Sequence, residues 1–397
     1  MERTQISRPR PHLPALTGLR FLAAMHVVLF HTALPHLAGA PSWLRGLVGS
    51  GYVGVSLFFV LSGFILAYNY LDARTERAPA ARPFWAARLA RVYPVYLLGL
   101  LVSLPYFVRD MAGRTGDAWS WFATSAAAAP ALLQAWLPRP ALLWNGPGWS
   151  LSAEAFFYLV FPLLAVPVLR MRRRGLLVLL AAAWALTFVA PSAYLYANPD
   201  RLGWAGHEYM TTWLGALKFN PLVRLPEFVM GVVLGRLYVL GPASRAEEEP
   251  GRARLWLAPA VAAGIVAVLC LSPRFPYVYL HNGLLAPAFA ALVWLLASGR
   301  GMGRLLAGRR MGLLGEASYA LYILHLPFAS VFHSATKALG IAGSTGWHLA
   351  AYLALAVALS VLVLRRVEEP ARRALRRRLS GRPASATAVE GAVPVAA

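Results

Sequence analysis

Ten long apolar stretches, separated by short connectors that hold most of the arginine, constrain this 397-residue chain more than any other feature. In hydrocarbon there is no water to bond the backbone, so such stretches fit only helices or a closed barrel. Barrel strands would alternate in polarity, and no alternation is visible. The pattern predicts an all-α, polytopic membrane helix bundle with spans at about 15–36, 50–70, 86–108, 150–169, 175–195, 222–240, 255–272, 282–298, 313–335 and 347–364. A composition 58% hydrophobic and 14% charged, with mean hydropathy +0.55, excludes an ordinary soluble domain.

The arginines orient the bundle. All but Lys218 and Lys337 of the 38 basic residues are arginine. Nucleic-acid binding would also need positive charge, but here it gathers at one set of helix ends, as the positive-inside rule describes. With the N-terminus inside, the clusters Arg74–Arg88, Arg170–Arg174, Arg245–Arg254, Arg300–Arg310 and Arg365–Arg378 all fall inside, provided that a further apolar stretch, 119–137, does not cross. Pro130 interrupts that stretch, which suits a re-entrant or surface segment. About ten spans follow, with both termini cytoplasmic. The expected divisions are a cytoplasmic N-terminus (1–14), a membrane domain (15–364) and a basic cytoplasmic tail (365–397), disordered after Arg382. The first span follows Arg3, Arg8 and Arg10 and reads as a retained signal-anchor helix. A multi-pass protein of a plasma or inner membrane is expected, with the lipid bilayer as its environment and no nucleic-acid partner. Cys270 is the single cysteine, so neither a disulfide framework nor a cysteine-based metal site is expected, and no other metal site is read from the chain.

Ionisable groups inside a bilayer are costly and mark functional sites. Arg20 and His31 share the first span. They stand roughly 16 Å apart along a helix, with the cation near the cytoplasmic side and the imidazole near the outer one. Arg88 and Arg91, at i and i+3, share a helix face and with Arg20 suit a polyanion. The pair also fits a second reading, that of anchors snorkelling to the membrane surface. Toward the outer side lie His31, His36, Ser56, Trp149, Ser150, Glu154, Arg224 and Glu227, with His325 mid-span. Histidine suits general-base work because its pKa lies close to working pH. Arg224 and Glu227, again i and i+3, fit a mutual pair or a site. Gly54 to Phe64 (GVSLFFVLSGF) has small residues spaced for close helix packing.

Taken in order, these pieces resemble the acyltransferase-3 family of integral-membrane O-acyltransferases. The resemblance rests on Leu16–Arg20 with His31, GVSLFFVLSGF, Arg88-Leu-Ala-Arg91-Val-Tyr-Pro, Trp149-Ser-Leu-Ser-Ala-Glu154, Arg224-Leu-Pro-Glu-Phe228, Gly315-Glu-Ala-Ser-Tyr319 with His325, and Glu368-Glu-Pro370. It covers about residues 12–378, and its wording looks similar to the macrolide acyltransferase branch. It implies transfer of an acyl group, commonly acetyl, from acyl-CoA as co-substrate, without a cofactor. The implied acceptor is a hydroxyl of a glycan, another carbohydrate or a glycosylated small molecule. It also implies His31 as catalytic base and Arg20, Arg88 and Arg91 as donor-binding residues, with Trp149, Ser150, Arg224, Glu227, Tyr319 and His325 at the acceptor or in support. Ser56 stands where the family motif often has Asp, so the carboxylate orienting His31 is expected to be Glu154, then Glu227, with Ser56 assisting. Some family members pass the group on through a fused esterase-like domain; none is seen here, and direct transfer is expected. A non-catalytic transporter of a glycan or lipid intermediate is the alternative, which would move substrate without CoA.

Overall fold

The computed structural model describes residues 11–71, 78–241, 255–341 and 346–380, and every regular element among them is helical. They are α1 (Pro14–Thr32), α2 (Ser42–Gly49), α3 (Gly54–Tyr70), α4 (Ala81–Ala112), α5 (Gly116–Ala128), α6 (Gly148–Arg170), α7 (Arg173–Ala197), α8 (Thr212–Phe219), α9 (Pro221–Leu240), α10 (Leu257–Cys270), α11 (Tyr277–His281), α12 (Ala286–Ala297), α13 (Met302–Leu306), α14 (Arg309–Ala338), α15 (Gly346–Val363) and α16 (Glu369–Ser380). The expectations for Arg3, Arg8, Arg10, Arg74, Arg77, Arg245, Arg252, Arg254 and the tail after Arg382 lie outside the described residues.

Among the described residues, seven segments are long and apolar enough to cross a membrane: Pro14–Thr32, Ser42–Tyr70, Ala81–Ala112, Gly148–Arg170, Arg173–Ala197, Tyr277–Ala297 and Gly346–Leu375. α10 is apolar but shorter. α9 and α14 are long but carry the charged residues Arg224, Glu227 and Arg236, and Arg309, Arg310 and Glu316. Lipid-compatible side chains coat the outside, with Leu163, Val178 and Val189 well exposed. The longest helix in the 119–137 stretch is the 13-residue α5, about 20 Å at helical rise against about 30 Å of hydrocarbon, and a single 3-10 turn follows at Gln134–Trp136. The chain then bends through Pro130 and Leu132, whose φ is +57°. Tyr93 and Tyr96 hold the bend by donating to the carbonyls of Pro130 and Ala129 at 3.1 and 2.7 Å.

Two close helix contacts position the polar residues. α3 and α9 touch backbone to backbone: a Cβ at Gly63 would lie 2.2 Å from the Phe228 carbonyl oxygen, and one at Gly231 would lie 2.0 Å from that of Val60. Without a hydrophobic drive between helices in lipid, glycine at such crossings is what allows the dispersion contact. α1 and α14 do the same, Gly315 facing the Thr17 carbonyl, and Gly18 of α1 faces the Leu306 carbonyl at the end of α13. Replacing Gly315 by Leu should therefore wedge these helices apart and cut activity even where the protein still inserts. Spin labels on α1 and α14 should report the widening, and an unchanged label distance would count against this.

The sixth segment, Tyr277–Ala297, is broken. Between α11 and α12 the chain leaves helical geometry at Asn282 and Gly283, the latter at φ +100°. Non-helical backbone at membrane depth persists only where protein satisfies its polar groups.

Candidate active site

The α1–α14 contact brings together His31 and His325, 294 residues apart in sequence. Their rings lie 5.0 Å apart, with Nε2 of His325 3.1 Å from Nδ1 of His31. Nδ1 of His325 is 2.7 Å from the Tyr322 carbonyl. A carbonyl only accepts, so that nitrogen carries the proton and Nε2 of neutral His325 is an acceptor. Nδ1 of His31 faces that acceptor and, at 3.0 Å, the Val27 carbonyl. It must be the donor, which leaves Nε2 of His31 with its lone pair free. His325 is fully buried, whereas His31 is exposed. These contacts fix the His31 tautomer with Nε2 unprotonated.

The orienting groups expected from the sequence are placed elsewhere. Glu154 accepts hydrogen bonds from Ser62 at 2.7 Å and Tyr158 at 2.5 Å and lines an inner cavity. It lies one helical turn beyond Ser150, which carries it inward and away from the His31 level. Ser56 accepts from Arg224 at 3.0 Å. The hydrogen-bond partners of the His31 ring are His325 and the Val27 carbonyl, and neither is a carboxylate.

Arg20, Arg91, Ser62, Glu154, Tyr319 and Tyr322 are among the walls of this inner cavity. Arg20 and Arg88 both lie close enough to Arg91 to repel it. Arg88 is 1% exposed, with Nε and Nη1 lacking hydrogen-bond partners among the described residues. Its other contacts are weak, a 3.5 Å approach to the Tyr70 hydroxyl and the faces of the Tyr70 and Phe84 rings. A buried guanidinium so poorly paired is costly unless an anion joins it. Glu368, buried on a π-helical turn between α15 and α16, adds a carboxylate that attracts Arg91 and Arg20.

At its other end the cavity reaches Ser150 and Tyr322. Ser150 is 3.1 Å from the Pro147 carbonyl and can only donate there, so it accepts from the Tyr322 hydroxyl at 2.9 Å. Tyr322 is one turn below His325. Tyr319 donates to the Val92 carbonyl at 2.5 Å, fixing α14 against α4. Trp149 stacks 6.3 Å from the His281 ring and packs against Phe59 and Phe219.

Arg224 and Glu227 do pair, at 2.9 Å with both side chains 1% exposed. Arg224 also donates to Ser56, to the Asn282 side chain at 3.0 Å and to the His281 carbonyl. That carbonyl is one freed by the break between α11 and α12. Arg224 thus replaces a missing helical hydrogen bond, a role that His281 and Asn282 share and that no local pattern announces. Near it, Lys218 donates to the carbonyls of His207 and Tyr209 at 3.1 and 2.8 Å. Burial pushes its ammonium down to about 8.

A family model described as an acyltransferase domain matches residues 13–365. The chain belongs to the acyltransferase-3 family. It is 31% identical over 386 residues to Acyltransferase MdmB of Streptomyces mycarofaciens, covering 92% of this chain and 93% of that one. It is 23% identical to the peptidoglycan O-acetyltransferase OatA of Listeria monocytogenes over 92% of its length, and 25% identical to the putative peptidoglycan O-acetyltransferase YrhL of Bacillus subtilis over 91%. This chain spans just over half of those two proteins, 56% and 55%. No solved structure matches. The acyltransferase-3 chain described here is therefore a membrane acyltransferase.

Proposed function

We propose that this acyltransferase moves an acyl group, acetyl first among candidates, from acyl-CoA to a hydroxyl of a carbohydrate or glycosylated small molecule. The observation that carries this reading is the inner cavity: it has arginines at one end and Tyr322 at the other, one turn below the histidine that fixes the His31 tautomer. Arg20, Arg88 and Arg91 would hold the CoA phosphates, and the cavity would take the thiol arm. Nε2 of His31 removes the acceptor proton as the hydroxyl oxygen attacks the thioester carbonyl. The tetrahedral intermediate collapses with loss of the CoA thiolate, which takes the proton back from the imidazolium. The products are the ester and free CoA. During the step the His31 Nδ1–H stays bonded to His325 and Val27, so the transient cation keeps its partners.

The donor half has its own test. Arg88→Lys keeps the charge but loses the planar fork. A charge-assisted hydrogen bond is worth ~1.5–3 kcal/mol, so the KM for acyl-CoA should rise about tenfold or more while the KM for acceptor stays put. An unchanged acyl-CoA KM in both Arg88→Lys and Arg91→Lys would return the pair to membrane anchors.

The geometry also needs a direction. We assign ten crossings, α1, α3, α4, α6, α7, α9, α10, α12, α14 and α15, with both termini cytoplasmic and the protein in a plasma or inner membrane. A reporter fused after Arg174 should then read as cytoplasmic, and one near Trp144 as external. Both on one side would remove the assignment of donor and acceptor to opposite faces.

A further inference from the structure

A second cavity lies at the His31 end of the bundle, under the loop 198–211 between α7 and α8. Tyr194, Asn198, Leu202, Trp204, Tyr277 and Val278 are among its walls, and none of its lining side chains is charged. The loop is built, not slack. Asp200 accepts from the hydroxyls of Tyr194 and Thr211 and from the amides of Trp213 and Leu214 at 2.6–3.3 Å. Asn198 closes a local ring with Leu202, and Lys218 pins the carbonyls of His207 and Tyr209.

This pocket connects to the base through touching rings. Tyr277 lies 4.8 Å from Tyr52, Tyr52 lies 5.7 Å from Phe30, and Phe30 lies 4.8 Å from His31. His207, from the same loop, sits 5.3 Å from Phe30. Tyr277 lines this pocket, and its hydroxyl makes no hydrogen bond to another described residue. A hydroxyl on a pocket wall without a protein partner is available to donate to or accept from an occupant.

We infer that this cavity is the acceptor subsite, taking a neutral, hydroxylated ring such as a glycoside sugar between Tyr194, Trp204 and Tyr277. The uncharged lining disfavours phosphorylated or carboxylated groups, which would be desolvated there without a counter-charge. Aromatic walls offer broad apolar faces with polar tips, matching a molecule with apolar ring faces and hydroxyl edges. The rings of Tyr277, Tyr52 and Phe30 stand between the pocket and His31. The reacting hydroxyl therefore sits on another part of the same molecule. The inference rests on the acyl-transfer reading for what the occupant is, but not for whether it binds.

Binding can be read without turnover. The protein in lipid nanodiscs is titrated with 4-nitrophenyl β-D-glucoside, whose nitrophenyl group quenches indole emission. Saturable quenching should appear in wild type and in His31→Ala, and should vanish in Trp204→Phe. In Tyr277→Phe the half-saturation should weaken about three- to tenfold, the value of one hydrogen bond. 4-Nitrophenyl phosphate should give no saturable component. Linear quenching alike in wild type and Trp204→Phe would overturn the assignment. So would loss of the Trp204 emission in nanodiscs of brominated phosphatidylcholine, which would make Trp204 part of an interfacial aromatic belt. Absent binding with His31-dependent turnover intact would sink this subsite alone, whereas binding with turnover indifferent to His31 would sink the chemistry alone.

Discussion

His31→Ala should lose about 10²–10⁴-fold in kcat, the usual contribution of a positioned general base, while folded yield and acyl-CoA binding stay near wild type. The imidazole is exposed at the end of α1 and its removal opens no core cavity. The sharper test lies in His325, which touches neither co-substrate in this reading and acts by holding the tautomer of His31. His325→Leu should cost less than His31→Ala, and the double variant should be no slower than His31→Ala alone, because the two rings act as a unit. His325→Gln should recover part of the loss, since its amide oxygen can accept the His31 Nδ1–H; a purely packing role would favour Leu over Gln. Near-normal turnover in purified, folded His31→Ala would end the mechanism. Full additivity with His325→Leu would keep the base and dismiss its partner.

The halves of this site differ in how they were written in the sequence. Arg20 and His31 stand out because a charged or polar group in a continuous apolar run is expensive, and Arg88 and Arg91 share a face by helical period alone. Those are local properties. The partner of His31 is not, because the groups the sequence offers to orient it, Ser56 and Glu154, are engaged by Arg224 and by Ser62 and Tyr158. His325 reaches it because Gly315 lets α14 run in backbone contact with α1. Glu154 illustrates the limit from the other side: a carboxylate following a turn reads as an outer-end group, but α6 begins at Gly148, and that first turn carries Glu154 down to the arginine cavity. His281 and Asn282 left no trace in the periodicity because their value comes from a helix break inside an otherwise apolar stretch. The apolar runs showed where helices lie, but which helices touch depended on glycines whose partners are far away in the chain.

That break yields the second large effect, on stability. Arg224→Met should destabilise the bundle by about 3–5 kcal/mol, the cost of removing one partner from a buried ion pair. The substitution leaves Glu227 as a lone carboxylate at 1% exposure and removes the donor shared by the His281 carbonyl, the Asn282 side-chain oxygen and Ser56, leaving that carbonyl only a 3.5 Å contact from the Ser56 hydroxyl. Glu227→Gln should cost less, because Arg224 keeps its three other partners. The double variant Arg224→Met with Glu227→Leu should recover part of the loss, since the stranded charge is gone, but not all of it, since the freed carbonyl between α11 and α12 has still lost its main donor. Thermal midpoints of the three variants in nanodiscs decide the matter. A double variant no better than Arg224→Met would mean that the stranded carboxylate contributes little. A double variant equal to wild type would mean that the broken helix does not need Arg224, and the guanidinium would then be free for a role toward substrate. The intermediate value is expected because the same side chain neutralises a charge and completes a backbone, and only the first of these can be removed together with its partner.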